Sequence, residues 1–249
     1  MESGISVAHL EQNVITENSV AKPKRWTNRI LKILLVVSVS LVTLLFVAQL
    51  IWRFSGSNQW ELVQEENGVK AYTLKAPGLD LEQVRGVVRV RSTLAGIVKF
   101  MQDPDVCHDV GCYESRLVER VDDQLNYYTF QYLYPFPFRT REFVIREQCY
   151  QNPHTKEVFV GVAAAPDKTP PNDCCFRVTD MNNFWRFTPL ENGEVEIEYT
   201  VNMNDGGFMP ALMSNMVRHK LMFKLLPRMQ SLLNKEKYQG AKFDFIKEK

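Results

Sequence analysis

Residues 128–144 read YTFQYLYPFPFRTREFV, and this stretch carries the strongest fold signal in the chain. An aromatic side chain occupies every second position of its first part: Tyr128, Phe130, Tyr132, Tyr134, Phe136 and Phe138. A period of two places the first four rings on one face of a β-strand, which ends in the Pro-Phe-Pro turn. Two interpretations are open at this point. The rings either pack under a helix in a solid core or line the wall of an internal apolar cavity.

The N-terminal part of the chain contains a candidate membrane span. Residues 33–52 include no Asp, Glu, Lys or Arg, and a helix of that length crosses about 30 Å of hydrocarbon. Apolar residues on all its faces argue against a buried core helix. A cleaved signal peptide is the competing interpretation, but Phe46 stands two positions before Ala48, where a cleavage site needs a small residue. We therefore predict an uncleaved anchor.

The charges around this span predict its orientation. Five cations precede it closely: Lys22, Lys24, Arg25, Arg29 and Lys32. Only Arg53 follows closely, so the N-terminus should stay cytoplasmic and the C-terminal domain should be exported. In a bacterium this predicts a single-pass inner-membrane protein with a periplasmic domain; with inverted topology the domain is cytosolic. Residues 53–249 carry 25 Lys and Arg against 26 Asp and Glu, which lacks the positive charge of a nucleic-acid binder.

The exported part is predicted to consist mainly of strands. Two strands open it, two short helices follow over residues 94–101 and 106–112, and six further strands lead to a long C-terminal helix. Asn192-Gly193 is a strong hairpin turn. The next strand alternates apolar and polar residues, with Val195, Ile197, Tyr199, Val201 and Met203 on the apolar face. One solvated face indicates an antiparallel sheet that is covered on one side only.

The long helix should begin near Pro210 and run through Pro227. Apolar residues recur along it at Leu212, Met216, Phe223, Leu226, Met229 and Leu233. A single helix cannot fill the concave face of a strongly curved sheet, so this architecture favours the cavity interpretation of the aromatic strand. The predicted organisation is a disordered cytoplasmic tail (1–32), the anchor (33–52), a linker (53–59), the folded domain (60–235) and a C-terminal tail (236–249).

Several segments resemble the START family of lipid-transfer domains. Residues 134–137 (YPFP) and 141–144 (REFV) are similar to the proline-aromatic turn and the Arg-Asp-Phe/Tyr-Val segment of that family, with Glu142 in place of the usual Asp. Residues 205–210 (DGGFMP) resemble the glycine turn before its C-terminal helix. The resemblance covers residues 60–233 and implies an α+β helix-grip fold (START/Bet v 1-like), in which a curved antiparallel sheet grips the long C-terminal helix.

The resemblance also implies a function and a set of site residues. START domains are mostly non-enzymatic carriers or sensors of one phospholipid, sterol or ceramide, and they use no cofactor. By position, the lipid tunnel would be lined by Tyr128, Tyr132, Phe143, Phe159, Tyr199, Leu212 and Met216. The lid would be formed by Phe136, Phe208, Met209 and Met213. Arg141 would either meet a lipid head group or hold a structural charge pair, with the structural role favoured.

Two other functions remain open from the sequence. The first is a helix-grip enzyme of the polyketide cyclase or aromatase type, acting on a hydrophobic small molecule; the second is a scaffold with a solid core. The chain has no Gly-x-Ser-x-Gly and no His-Glu-x-x-His motif, so we predict no catalytic residue. Cys107-His108-Asp109 with Cys112 lacks a second pair of ligands for structural zinc, so we predict no metal.

Overall fold

The computed structural model of the chain describes residues 24–134, 136–207 and 209–249. It divides into two compact units, Met1–Leu50 and Ile51–Lys249. Helix α1 (Lys24–Phe54) is long and apolar enough over Asn28–Phe54 to cross a membrane. Residues 24–32 are therefore helical and not part of a disordered tail, whereas residues 1–23 lie outside the described residues.

The second unit contains an eleven-stranded sheet in the order β1-β2-β3-β10-β9-β7-β6-β5-β4, with β11 beside β9 and β8 beside β6. All neighbours are antiparallel except β6 and β8. The strands are β1 (Trp60–Glu66), β2 (Val69–Leu74), β3 (Gln83–Arg91), β4 (Tyr113–Arg120), β5 (Leu125–Tyr132), β6 (Arg141–Gln151), β7 (Val158–Ala164), β8 (Phe176–Arg177), β9 (Asp180–Pro189), β10 (Glu194–Val201) and β11 (Met203–Asn204).

Three further α-helices belong to this unit: α2 (Leu94–Met101), α3 (Val106–Val110) and α4 (Ala211–Leu233). The Thr93 hydroxyl accepts a hydrogen bond from Gly96 N and caps α2. The Glu248 carboxylate accepts hydrogen bonds from the two other amides of the first turn, Leu94 N and Ala95 N, at 3.0 Å each. The predicted C-terminal tail is therefore bound to the domain that it follows.

Strand β10 shows why the sheet has one buried face. Its residues alternate between buried and half-buried along its whole length, as the sequence predicts. On the solvent side, Glu196 pairs with Arg89 at 3.0 Å and Glu198 pairs with Arg186 at 2.8 Å. The buried side carries Ile197 and Val201, both fully inaccessible to solvent, and closes the core.

Helix α4 packs against this buried face through Met222, Leu226, Met229 and Leu233, all fully buried. A β-carbon at Gly86, in β3, would lie 2.4 Å from Leu226 Cδ1. Glycine at this position lets the Leu226 and Met222 side chains of α4 lie directly against the strand. The sheet and the helix gripped against it confirm the predicted α+β architecture.

The predicted linker, residues 53–59, is partly ordered by contacts within the second unit. Lys75 is 9% exposed, and its ammonium donates to the carbonyls of Arg53 and Ser55 at 3.3 and 3.4 Å. Trp52 Nε1 donates to Asp80 O at 3.2 Å. Helix α1 itself continues to Phe54, so the sequence places the start of the linker too early.

The five cysteines form two disulfides, Cys107–Cys112 and Cys174–Cys175, and leave Cys149 unpaired and buried. The odd number of cysteines predicts at least one free thiol. Adjacent cysteines rarely bridge each other, and Cys174–Cys175 is such a rare bridge.

Candidate functional site

A cavity of about 270 Å³ lies inside the second unit. Its wall is formed by β5, β6, β7, β9, β10, the segment from α2 to α3, and one side of α4. The aromatic members of this wall are Phe100, Tyr128, Phe130, Tyr132, Tyr134, Phe143, Trp185 and Tyr199. The four rings that precede the Pro-Phe-Pro turn all face this cavity.

The aromatic rings of the wall hold one another in place. Phe130 stacks on Phe143 with centroids 5.0 Å apart, and Tyr132 meets both rings edge-on at 5.9 Å. The Tyr128 hydroxyl donates to Gln102 O at 3.2 Å. Burial raises the pKa of Tyr132 to about 12, so this hydroxyl stays protonated and the wall is uncharged here.

Four of the predicted tunnel residues lie on this wall: Tyr128, Tyr132, Phe143 and Tyr199. Phe159, predicted to join them, lies on the opposite face of the sheet. It stacks on Tyr150 at 4.9 Å and contacts Phe184 at 5.7 Å. The reason is strand parity, because the buried residues of β7 are Val158, Val160 and Val162.

Leu212 and Met216, the other two predicted tunnel residues, point away from the cavity. They are 68% and 50% exposed. The first turns of α4 bury polar residues instead, Asn215 and Arg218, and a helical period of 3.6 then turns Leu212 and Met216 outward. The side of α4 that does face the cavity carries Val217, Arg218, Leu221 and Leu225.

The predicted lid residues do not line the cavity in the part of the chain that the structure describes. Phe136 is 97% exposed in the turn between β5 and β6. Met209 and Met213 are half-buried, and Met209 Sδ lies 3.9 Å from Arg141 Nη2. Phe208 lies outside the described residues. Leu133, beside the predicted lid, does line the cavity and is 74% exposed.

Arg141 is 2% exposed and binds backbone carbonyls. Its guanidinium donates to Asp205 O and Gly206 O, both at 2.9 Å, and to Arg139 O at 2.5 Å. It also lies over the Tyr134 ring, 4.7 Å from the centroid. These contacts join Arg141 to the glycine turn before α4. The neighbouring acid, Glu142, pairs with Arg177 at 2.8 Å and not with Arg141.

A buried ion pair closes the same end of the cavity. Arg218 and Asp205 are each 1% exposed and lie 3.1 Å apart. The Tyr134 hydroxyl donates to the second carboxylate oxygen of Asp205 at 2.6 Å. Arg218 also donates to Glu82 O at 2.9 Å and to Met203 O at 2.5 Å. We call Arg218, Asp205 and Tyr134 the ion-pair end of the cavity.

Comparison with known proteins identifies this architecture. No family model matches the sequence. An uncharacterised protein of Pseudomonas aeruginosa is 25% identical over 162 residues, which span 64% of this chain and 79% of that protein. The crystal structure of a STAR-related lipid transfer protein from Xanthomonas axonopodis superimposes with a TM-score of 0.65 at 23% identity, covering 70% of this chain and 98% of that one. Human StAR-related lipid transfer protein 5 superimposes with a TM-score of 0.61 at 15% identity, covering 79% of this chain and 96% of that one. The chain has a START-like fold.

The START-like fold confirms the helix-grip architecture that the sequence predicts, but the wall of its cavity contains residues that the sequence does not single out. Arg218 is one of them, and Asn183 is another: its amide donates to the Tyr199 hydroxyl at 3.1 Å. The third is Glu147, which is 4% exposed and faces the cavity. Strand parity could have indicated Glu147, because it shares the inward face of β6 with Phe143 and Ile145.

The chemistry available in the cavity is limited. Across the described residues, no group of three or more His, Cys, Asp or Glu is placed to hold a metal ion. Burial raises the pKa of Glu147 to about 8, and the charge of Arg120 offsets only part of this effect. Burial in the cavity therefore favours the neutral, protonated form of the Glu147 carboxyl.

Proposed function

We propose that the protein binds one lipid-like hydrophobic ligand in this cavity and transfers or senses it at a membrane, without converting it chemically. The observation that carries the proposal is the apolar cavity lined by aromatic rings between the sheet and α4 of a START-like fold. Its volume of about 270 Å³ lies just under the range of about 300–1,000 Å³ that is usual for ligand pockets. A single-chain or ring-shaped ligand fits this space better than a two-chain phospholipid.

The proposed ligand contacts are the rings that face the cavity. Tyr128, Tyr132, Phe143 and Tyr199 form its wall, and Phe130 and Trp185 complete it. Arg141 is proposed to hold the turn before α4. The proposed lid is the exposed turn at Phe136, together with Met209, Met213 and Phe208.

The membrane is the proposed second partner. Helix α1 would serve as the anchor, with the N-terminus cytoplasmic and the folded domain in the bacterial periplasm. The two disulfides support an oxidising compartment. Two apolar pairs near the cavity are exposed enough to contact a bilayer, Leu133 with Phe136 and Leu212 with Met216.

The ligand proposal is tested by blocking the cavity. The full chain is purified in detergent, and the compounds that co-purify are extracted and identified by mass spectrometry. We expect one hydrophobic compound near one equivalent with the wild type and much less with Val162→Phe, which places a ring in the cavity. Ala163→Phe is the matched control, since Ala163 has the opposite parity on β7 and points to the outer face. Wild-type protein that retains no compound would contradict the proposal.

Topology is tested separately. Cys149 is buried and cannot report exposure, so Glu191→Cys, in an exposed turn, supplies the thiol. A membrane-impermeant maleimide should label it after the outer membrane is permeabilised. Labelling only after the inner membrane is lysed would place the domain in the cytoplasm.

One observation favours a second candidate, the helix-grip enzyme. Glu147 is a buried acid with a pKa near neutrality, as a general acid or base requires. The mass of the bound compound separates the two functions. A carrier yields the same compound from wild type and Glu147→Gln, whereas an enzyme yields a product from one and an unconverted substrate from the other.

A further inference from the structure

The two disulfides of the folded domain differ in their surroundings. Cys107–Cys112 lies in the cavity wall, and its two residues are 6% and 8% exposed. Cys174–Cys175 lies in the loop between β7 and β8, and Cys174 is exposed to solvent. Access decides which disulfides a thiol can attack. The domain therefore contains one accessible disulfide and one protected disulfide.

The accessible bridge holds a short turn that has few other constraints. It closes a small ring that includes the peptide bond between the two cysteines. Within the turn, Cys174 N donates to Asn172 Oδ1 at 3.3 Å, and Cys175 N donates to Asn172 O at 3.4 Å. Both distances are longer than is usual for such hydrogen bonds. Breaking the bridge would therefore free most of this turn.

The chain on both sides of this turn is firmly held. Before the turn, Thr169 O accepts a hydrogen bond from Arg177 at 2.6 Å. Arg177 in turn pairs with Glu142 at 2.8 Å. After the turn, Phe176 N donates to Thr140 O at 2.8 Å. The bridged turn is thus the loosely held part of an anchored loop.

The residue that follows the bridge packs against the ion-pair end of the cavity. A β-carbon at Gly206 would lie 2.2 Å from Phe176 Cε1, so the Phe176 ring contacts the glycine turn directly. Arg141, which binds Asp205 O and Gly206 O, lies over the same ring, 5.3 Å from its centroid. Asp205 pairs with Arg218 on the cavity wall. Directly packed groups therefore connect the bridge with the cavity.

We propose that Cys174–Cys175 is a thiol–disulfide exchange site for a protein dithiol, and that breaking this bridge speeds ligand exchange. The second part rests on the proposed function. A thiolate of the partner bonds to the Cys174 sulfur, the bond between Cys174 and Cys175 breaks, and Cys175 leaves as a thiolate that takes up a proton. The second thiolate of the partner then attacks the first partner sulfur and releases Cys174, which is protonated as well. The partner is oxidised to its disulfide, and this protein gains the two electrons and two protons.

The exchange site is tested on the full chain in detergent, with reduced thioredoxin as the probe. New thiols are alkylated and located by mass spectrometry. We expect Cys174 and Cys175 to be labelled at least about tenfold faster than Cys107 and Cys112. A thioredoxin variant without its second cysteine should be trapped on Cys174 as a mixed disulfide. Equal labelling of the two pairs, no labelling at all, or free thiols at Cys174 and Cys175 in untreated protein would overturn the proposal.

The effect on the ligand is tested with 1-aminoanthracene, a ring-shaped fluorescent probe, with the signal of empty micelles subtracted. Treatment with thioredoxin should make wild type release this probe at least about threefold faster. The double variant Cys174→Ser/Cys175→Ser should release it at the faster rate without treatment. Thioredoxin should not change the rate of this variant, which controls for any reduction of Cys107–Cys112.

The two readouts separate the exchange site from the proposed function. A release rate that stays the same when Cys174 and Cys175 are reduced would overturn the proposed control of ligand exchange. Oxidised wild type that binds neither this probe nor a co-purified compound would contradict the proposed function. The labelling rates would still decide on the exchange site in that case.

Discussion

Two regions of the folded domain differ in how their buried polar groups are paired. At the ion-pair end, Arg218, Asp205 and Tyr134 bind one another and nearby carbonyls, and only Arg218 Nε lacks a partner in the described chain. On β5 and β6, away from the ion pair, both amide atoms of Asn126 have no partner in the described chain, and its neighbour Glu147 is near the charge of Arg120. Burial is similar in both regions, so the difference lies in pairing. A paired group supports the fold, whereas an unpaired one costs stability unless a ligand satisfies it.

The largest expected loss of stability comes from breaking the ion pair between Arg218 and Asp205. Arg218→Met leaves Asp205 buried without its cation, which should lower the free energy of unfolding by about 3–5 kcal/mol. Denaturant unfolding of the detergent-solubilised chain measures it. Arg186→Met removes a half-exposed pair with Glu198 and should cost at most about 1 kcal/mol. Equal losses for the two variants would contradict the structural role of the buried pair.

A pair of hydroxyl deletions compares the two regions directly. Tyr134→Phe removes a hydrogen bond to a carboxylate and should cost about 1.5–3 kcal/mol, whereas Tyr128→Phe removes one to a carbonyl and should cost about 0.5–1.5 kcal/mol. Unfolding curves of both variants under one condition give the difference. A larger loss for Tyr128→Phe would reverse the assignment of the ion-pair end as the supporting one.

Glu147 should make the stability of the protein depend on pH. The pKa of Glu147 is about 8 in the folded protein and 4.5 as its ordinary value, so the folded state holds a proton that the unfolded state has released between these pH values. Its contribution is complete below pH 4.5 and is lost as pH rises toward 8, with a slope of up to about 1.4 kcal/mol per pH unit.

Glu147→Gln should remove this slope, while Tyr134→Phe should keep it. The difference in unfolding free energy between wild type and Glu147→Gln, measured at several pH values, isolates the contribution of this one group. A difference that stays constant from pH 5 to 8 would show that Glu147 is already ionised in the folded protein.

The smallest expected effect is an increase in the stability of the ligand-free protein. Asn126→Leu removes two unsatisfied buried atoms and should stabilise the ligand-free protein by about 1 kcal/mol. Thermal unfolding of ligand-free protein detects the gain. Loss of stability would show that the Asn126 amide already has a partner, such as an ordered water.

The fold could be predicted because its signals are local. The alternation in β10, the hairpin at Asn192 and the aromatic row of β5 are each visible within a few residues. The site could be predicted only in part, because its contacts depend on register. Asn126 and Glu147 meet only once β5 and β6 are aligned, and no local pattern shows that alignment.

Polar residues on inward faces caused the remaining errors. The resemblance places Leu212 and Met216 on the cavity wall, but the first turns of the helix face inward through Asn215 and Arg218. Composition ranks arginine and glutamate as surface residues. Arg218 and Glu147 are therefore cavity residues that the sequence does not single out.

The contact of Glu248 with the first amides of α2 has a practical consequence. Helix α2 ends in Phe100 and Met101, both on the cavity wall, and Glu248 is bound to the other end of the same short helix. A fluorophore on Lys249 would thus be attached beside an element that lines the cavity. The fluorescence of this label should change when a ligand enters the cavity. Glu248→Gln weakens the contact with α2 and should reduce that change without altering the cavity wall.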